Sequence, residues 1–146
     1  MAEVDWNFLN QGYHKPGTDT VREELISKHA EDFGKLFARE RGSQVSSSQL
    51  RGFYGDAKAL ETKIRSAEEA GNPRAFEDNF YLVKMLKAKA AYIQGKRTGG
   101  RVSRDFERYI RTCVDKINGR ADFEAFMRFF ESTVGFYYGH GGERVR

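Results

Sequence analysis

"LVKMLKAKAAYIQGKRTGGR", residues 82–101, is the stretch on which the fold turns. Its end, Gly-Lys-Arg-Thr-Gly-Gly, has the look of a phosphate-binding loop. Such a loop needs a strand, then G-x-x-x-x-G-K-[ST], then a helix, so that backbone N–H groups cradle the phosphates. Here Ala90 stands where the first glycine belongs, and Arg97 follows Lys96 in place of Ser or Thr. The residues before the loop read as helix, because Leu82, Val83, Leu86, Ala90 and Ile93 recur at helical spacing. A nucleoside-triphosphate loop is excluded on these grounds. What remains is a helix that runs out into a basic, glycine-rich loop.

The same period extends in both directions. Val21, Leu25, Ile26, Ala30, Phe33, Leu36 and Phe37 predict a first helix over about 20–41. "SSSQLRGFYGDAKALETKI", residues 46–64, offers serine hydroxyls as N-caps and then one apolar face of Leu50, Phe53, Tyr54, Ala57, Leu60 and Ile64. Gly52 and Gly55 lie inside that helix and weaken it by roughly 1 kcal/mol each relative to Ala. "GNP" at 71–73 breaks the chain, and Pro73 suits the first turn of a third helix that runs to Gln94. Ser103 can cap a fourth helix, and "NG" at 118–119 ends it. A fifth, rich in Phe, runs over about 121–137. No run of strict alternation survives. The expected fold is all-α: a single compact bundle of about five helices over 20–138, with a flexible N-terminal arm (1–19) and a C-terminal tail (139–146). Trp6 and Phe8 are the arm residues that could order part of it.

Composition agrees. The chain has 146 residues, 32% of them charged, with 12 Phe, 7 Tyr and only 2 Pro. That is one domain's length, and enough to bury a core without disulfide or metal staples. The lone Cys113 falls in a helical apolar pattern and reads as a buried free thiol, which suits the reducing cytoplasm. No membrane span or secretory segment is expected. His14, His29 and His140 pair with nothing at metal-ligand spacing, and the acidic residues read as solvated helix faces and cap charges. No catalytic constellation, metal or cofactor is expected.

The charge pattern is more informative than the net charge of +4. Residues 1–40 carry five Lys/Arg against eight Asp/Glu, whereas residues 84–111 carry nine against two. On the second helix Arg51, Lys58 and Arg65 fall within about 40° of one another on a helical wheel. On the third, Lys84 and Lys87 point away from the core stripe. Lys89 lies between that stripe and a second one of Tyr81, Met85 and Tyr92. A lysine so placed either snorkels to water or meets an anion. Lys96, Arg97 and Arg101 carry the charge through the loop, and Arg104, Arg108 and Arg111 along the fourth helix. Such a spread suits an extended polyanion better than one small phosphate. Tyr81 and Tyr92 are expected to pack, with stacking on unpaired bases as the other reading.

Three segments together resemble one family: "SSSQLRGFYGDAKALETKI", "YLVKMLKAKAAYIQGK" and the aromatic "FEAFMRFFESTVGFYYGHGG" (123–142). The family is the small helical subunit of the type III-A CRISPR interference complex, the Csm complex. The resemblance runs in order from about 46 to 142. It implies a non-catalytic RNA-binding subunit of an antiviral effector complex, stacked as an inner filament beside the subunits that hold the guide RNA. Its partners would be guide or target RNA, the other complex subunits and copies of itself, with a homodimer as one form of the isolated chain. RNA-contacting positions carry over to Arg51, Lys87, Lys89 and Lys96. The charge pattern adds Lys58, Arg65, Lys84, Arg97 and Arg101. The other reading is a purely structural protein–protein adaptor.

Overall fold

The computed structural model describes residues 3–96 and 100–142. Five α-helices account for most of them: α1 (Ala30–Arg39), α2 (Ser47–Glu69), α3 (Ala75–Gly95), α4 (Arg104–Asp115) and α5 (Arg120–Gly139). A π-helical turn, Leu25–His29, leads into α1. Among the described residues there is no strand, only one isolated bridge between His14 and Val21.

Two helix starts follow from serine chemistry. The Ser46 hydroxyl accepts from Gln49 N–H at 3.4 Å and opens α2. The Ser103 hydroxyl accepts from Phe106 N–H at 3.2 Å, and itself donates to the Ser43 carbonyl at 2.7 Å. Each satisfies an N–H that has no partner within its helix. Because Ser43 precedes α2 and Ser103 precedes α4, the second bond also ties the two helix starts together. A further bond, Ser46 N–H to the Arg101 carbonyl at 2.7 Å, reinforces that tie. Gly100 makes the approach possible: its φ is +108°, and a Cβ there would run into the Ser46 side chain.

The helices form two halves. α1 lies along α5, and α3 lies between α2 and α4. The α1–α5 contact is close because Gly34 has no side chain; a Cβ there would stand 2.7 Å from Phe136 Cβ and 2.8 Å from Tyr137 N. Aromatic rings fill the centre. Phe33 meets Phe8 and Tyr109 at centroid separations of 4.8 Å each, and Phe106, Phe129 and Phe130 complete the network. Such pairs contribute about 0.5–1.5 kcal/mol each beyond their area burial. The buried tyrosines keep their hydroxyls paired: Tyr109 with Thr133 at 2.8 Å, Tyr137 donating to the Val45 carbonyl at 2.6 Å, and Tyr13 donating to the Cys113 carbonyl at 2.5 Å. Burial pushes the Cys113 thiol well above its usual range, which makes it unreactive.

The N-terminal segment is irregular, as expected of an arm, but Phe8, Leu9 and Tyr13 are core residues. The Arg22 guanidinium holds the segment down by donating to the Phe8 and Gly12 carbonyls at 3.0 and 2.7 Å. Trp6 packs edge-on to Phe33 and carries Arg108 over its ring at 4.1 Å. At the other end, the described part of the tail folds back through Gly142 N–H to the Tyr137 carbonyl at 2.8 Å. His140 lies between Glu31 and Arg39, at 2.8 and 3.1 Å.

Candidate nucleic-acid interface

Eight of the nine cations singled out by sequence lie among the described residues, and they separate into three environments. Lys58 and Arg65 serve their own chain. Both sit on α2 around Glu61, which is fully buried and is not the solvated carboxylate that its helical pattern predicts. Lys58 Nζ lies 3.0 Å from Glu61 Oε1, and an Arg65 nitrogen 3.5 Å from Oε2. Arg128 of α5 completes the cluster at 2.7 Å. An ionised carboxylate taken out of water costs several kcal/mol unless paired in this way. The hydrogen bond to Glu61 accordingly raises the Lys58 pKa above its ordinary value.

The α3 lysines line the middle of the molecule. Lys87 reaches Asp115 of α4 at 2.6 Å, and Lys89 reaches Asp56 of α2 at 3.5 Å. The Lys89 pair is exposed and the Lys87 pair part-exposed, so each is worth little in water. Lys84 holds its ammonium 5.1 Å from the centre of the Phe80 ring, and Lys96 lies 5.8 Å from that of Tyr92. Lys89 does snorkel, across a groove between α2 and α3.

The third environment is the end of the bundle where α2 and α4 begin. Arg101 and Arg104 share a surface hollow there with Gly42 and Gln94. Arg41 adjoins Gly42, and Arg51 is exposed in the second turn of α2. Among the described residues, none of these four arginines forms an ion pair with a carboxylate of the chain. Two helix N-termini converge beside them, and their free N–H groups add positive potential. The first turn of α2 carries no acidic residue that would offset it, whereas that of α4 carries Asp105 and Glu107, and Asp105 also lines the hollow. Arg97 lies outside the described residues.

Sequence reasoning left Arg41 and Arg104 out of the site. Arg104 belongs to the same basic run, but nothing in the run separates it from Arg108, which stacks on Trp6, or from Arg111, which pairs with Glu107. Arg41 stands far from the basic run in sequence and gave no signal.

The expected packing of Tyr81 and Tyr92 is overturned. Tyr81 is 61% exposed, Met85 47% and Tyr92 69%, a row of large apolar side chains along the outside of α3. Core burial of α3 is satisfied by Phe76, Val83, Leu86 and Ala90, which leaves no described element to cover the second stripe.

Among the described residues, no group of three or more His, Cys, Asp or Glu side chains is placed to hold a metal ion. Among them, too, no helix is long and apolar enough to cross a membrane. No curated protein and no solved structure matches the chain significantly. The Csm2 Type III-A family model does match, over residues 20–143, beginning upstream of the three segments that carried the resemblance. With an all-α bundle, the three segments in order and a match over most of its length, the chain belongs to the Csm2 Type III-A family, a small subunit of the type III-A CRISPR complex.

Proposed function

We propose that the chain is a non-catalytic RNA-binding subunit that contacts the guide or target RNA backbone without sequence preference, in the cytoplasm, as part of antiviral defence. Copies of it assemble with one another, as an inner filament, and with other subunits of the complex. The observation that carries this reading is the bundle end with Arg41, Arg51, Arg101 and Arg104, none of which is ion-paired among the described residues, although Asp105 shares the hollow of Arg101 and Arg104. Arginines without an ion pair, close to a helix N-terminus that has no acidic residue in its first turn, suit phosphate oxygens, which accept bidentate hydrogen bonds from guanidinium groups. Lys84, Lys87, Lys89 and Lys96 extend the positive surface along α3, and Arg97 falls between the two groups in sequence. Lys58 and Arg65 contribute less, because Glu61 already engages them.

The test is the salt dependence of single-stranded RNA binding. The wild type is expected to lose affinity steeply with salt. Arg51→Ala/Arg101→Ala/Arg104→Ala should reduce the log–log slope by about 0.7 for each phosphate that is no longer neutralised. A slope near zero in the wild type would defeat the proposal. The exposed row Tyr81, Met85 and Tyr92 favours a second reading, a structural adaptor that touches only protein. In that case the triple arginine variant retains whatever RNA affinity the wild type has, and substitution of Tyr81 or Met85 disrupts assembly instead.

A further inference from the structure

The exposed row on α3 borders a groove that the backbone-binding reading does not use. Its main chamber, of about 510 Å³, lies between α2 and α3. Phe53 and Ile93 are among the residues that line it, with Met85 and Tyr92 from the exposed row and Gly52 where α2 has no side chain. A second chamber of about 250 Å³ continues the groove, sharing Asp56, Met85 and Lys89 and adding Lys63. The groove is thus largely apolar in its walls, with two lysines, one carboxylate and the Gln49 side chain, and a third lysine, Lys96, stands over the Tyr92 ring at its edge.

We infer that this groove is a slot for one unpaired, amine-bearing base of a single-stranded RNA whose backbone the lysines hold. The inference rests on the RNA-binding reading proposed above. Three features select a nucleotide over an apolar peptide side chain. Tyr92 is a flat, solvent-facing ring, and base–aromatic stacking needs such a face. Lys63 and Lys89 line the groove and Lys96 stands over Tyr92 at its edge, so the charge complements phosphate. Asp56, the one carboxylate in the groove, can accept from an exocyclic amine of the base, as carboxylates do from amino groups of nucleobases. Lys89 pairs with Asp56 at 3.5 Å in the free chain; when the base arrives, the lysine turns to the phosphate and the carboxylate to the amine. Gly52 keeps the wall open, since a Cβ there would meet nothing within 4 Å.

That openness supplies the probe. Gly52→Leu fills the groove without touching the core and is expected to fold, with helical circular dichroism as the control. The ligand is a uridine-tract RNA with a single internal 2-aminopurine, whose fluorescence is quenched by stacking. Wild type is expected to quench it on binding, and to bind the same RNA with an abasic site at that position about tenfold more weakly. Gly52→Leu and Tyr92→Ala should bind both RNAs equally, at the weaker affinity, and quench neither; Tyr92→Phe should restore quenching. Purine riboside, which lacks the amine, should bind wild type about fivefold more weakly than adenosine at that position and bind Asp56→Leu equally well. Salt-dependent RNA binding with no quenching and no abasic effect would overturn the slot while leaving the backbone reading standing. Absence of RNA binding altogether would overturn both. Unchanged RNA binding by Gly52→Leu with lost assembly of the complex would make the groove a seat for protein and overturn the slot.

Discussion

The two halves of the molecule bury their residues to opposite degrees. In the half built by the arm, α1 and α5, nearly every large side chain is enclosed, and Phe8, Phe33, Phe129 and Phe130 form one continuous ring network with Tyr109 of α4. In the α2–α3 hairpin, one face is core while the other keeps Tyr81, Met85 and Tyr92 in solvent, beside a groove and a set of loosely paired lysines. The difference shows what each half is free to do. A closed aromatic core tolerates no change of volume, so it serves as a rigid base. An α-hairpin with one unpartnered face can hold binding residues whose substitution leaves the fold alone.

Truncation is the most direct way to break that comparison. Phe33→Ala empties the centre of the ring network and is expected to cost about 3–5 kcal/mol in chemical denaturation. A loss below about 1 kcal/mol would mean that the core is looser than its geometry indicates.

The Glu61 cluster joins the two halves, and its two sides should respond unequally. Arg128→Ala removes the cation from α5 and leaves a fully buried carboxylate with Lys58 and Arg65 alone, at an expected cost of about 2–3 kcal/mol. Glu61→Gln removes the buried charge itself, and its three cations are part-exposed and can turn to water, so the cost should be smaller. Equal losses in thermal or denaturant unfolding would show that the carboxylate is not the strained partner.

A smaller effect is expected from pH. Desolvation, helped by the neighbouring charges of Lys28 and Arg22 and opposed by Asp5 and Asp32, lowers the His29 pKa below its ordinary value of 6.5. The unfolded chain then binds the proton more readily, so this contribution to stability is full above pH 6.5 and is lost as pH falls through the lower, folded value. Stability followed downward from neutral pH through that window should fall less in His29→Gln than in wild type. Parallel profiles would remove His29 as the cause.

The least change of all is expected on the open face. Tyr81→Ser, at a largely exposed side chain, should alter unfolding free energy by no more than about 0.5 kcal/mol. A larger loss would place Tyr81 in a contact within the folded chain and blur the contrast between the halves.

Much of the fold was readable from local chemistry. The helices over α2–α5 announce themselves through apolar period, and the Ser46 and Ser103 caps lie where hydroxyls precede such periods. The rejection of a phosphate loop also needed only residue identities at fixed spacing. The arm was harder, because Phe8, Leu9 and Tyr13 lie in an irregular segment with no period to mark which side faces in. Glu61 and Tyr92 misled for a related reason. A wheel places Glu61 at the edge of a helix and Tyr92 on an apolar stripe, yet what covers each edge depends on neighbouring helices that a wheel does not contain.

The candidate site divides along the same line. That positive charge concentrates in the middle of the chain is a property of the sequence, as is membership in an all-α class, because both follow from residue type and near-neighbour spacing. Which of those charges are available is a tertiary matter. Lys58 and Arg65 meet a carboxylate that folding buries, while Arg41 joins Arg101 and Arg104 only because two serine-capped helix starts are tied together at one end. A charge's worth is set by its partners and its access to water, and both come from residues distant in the chain.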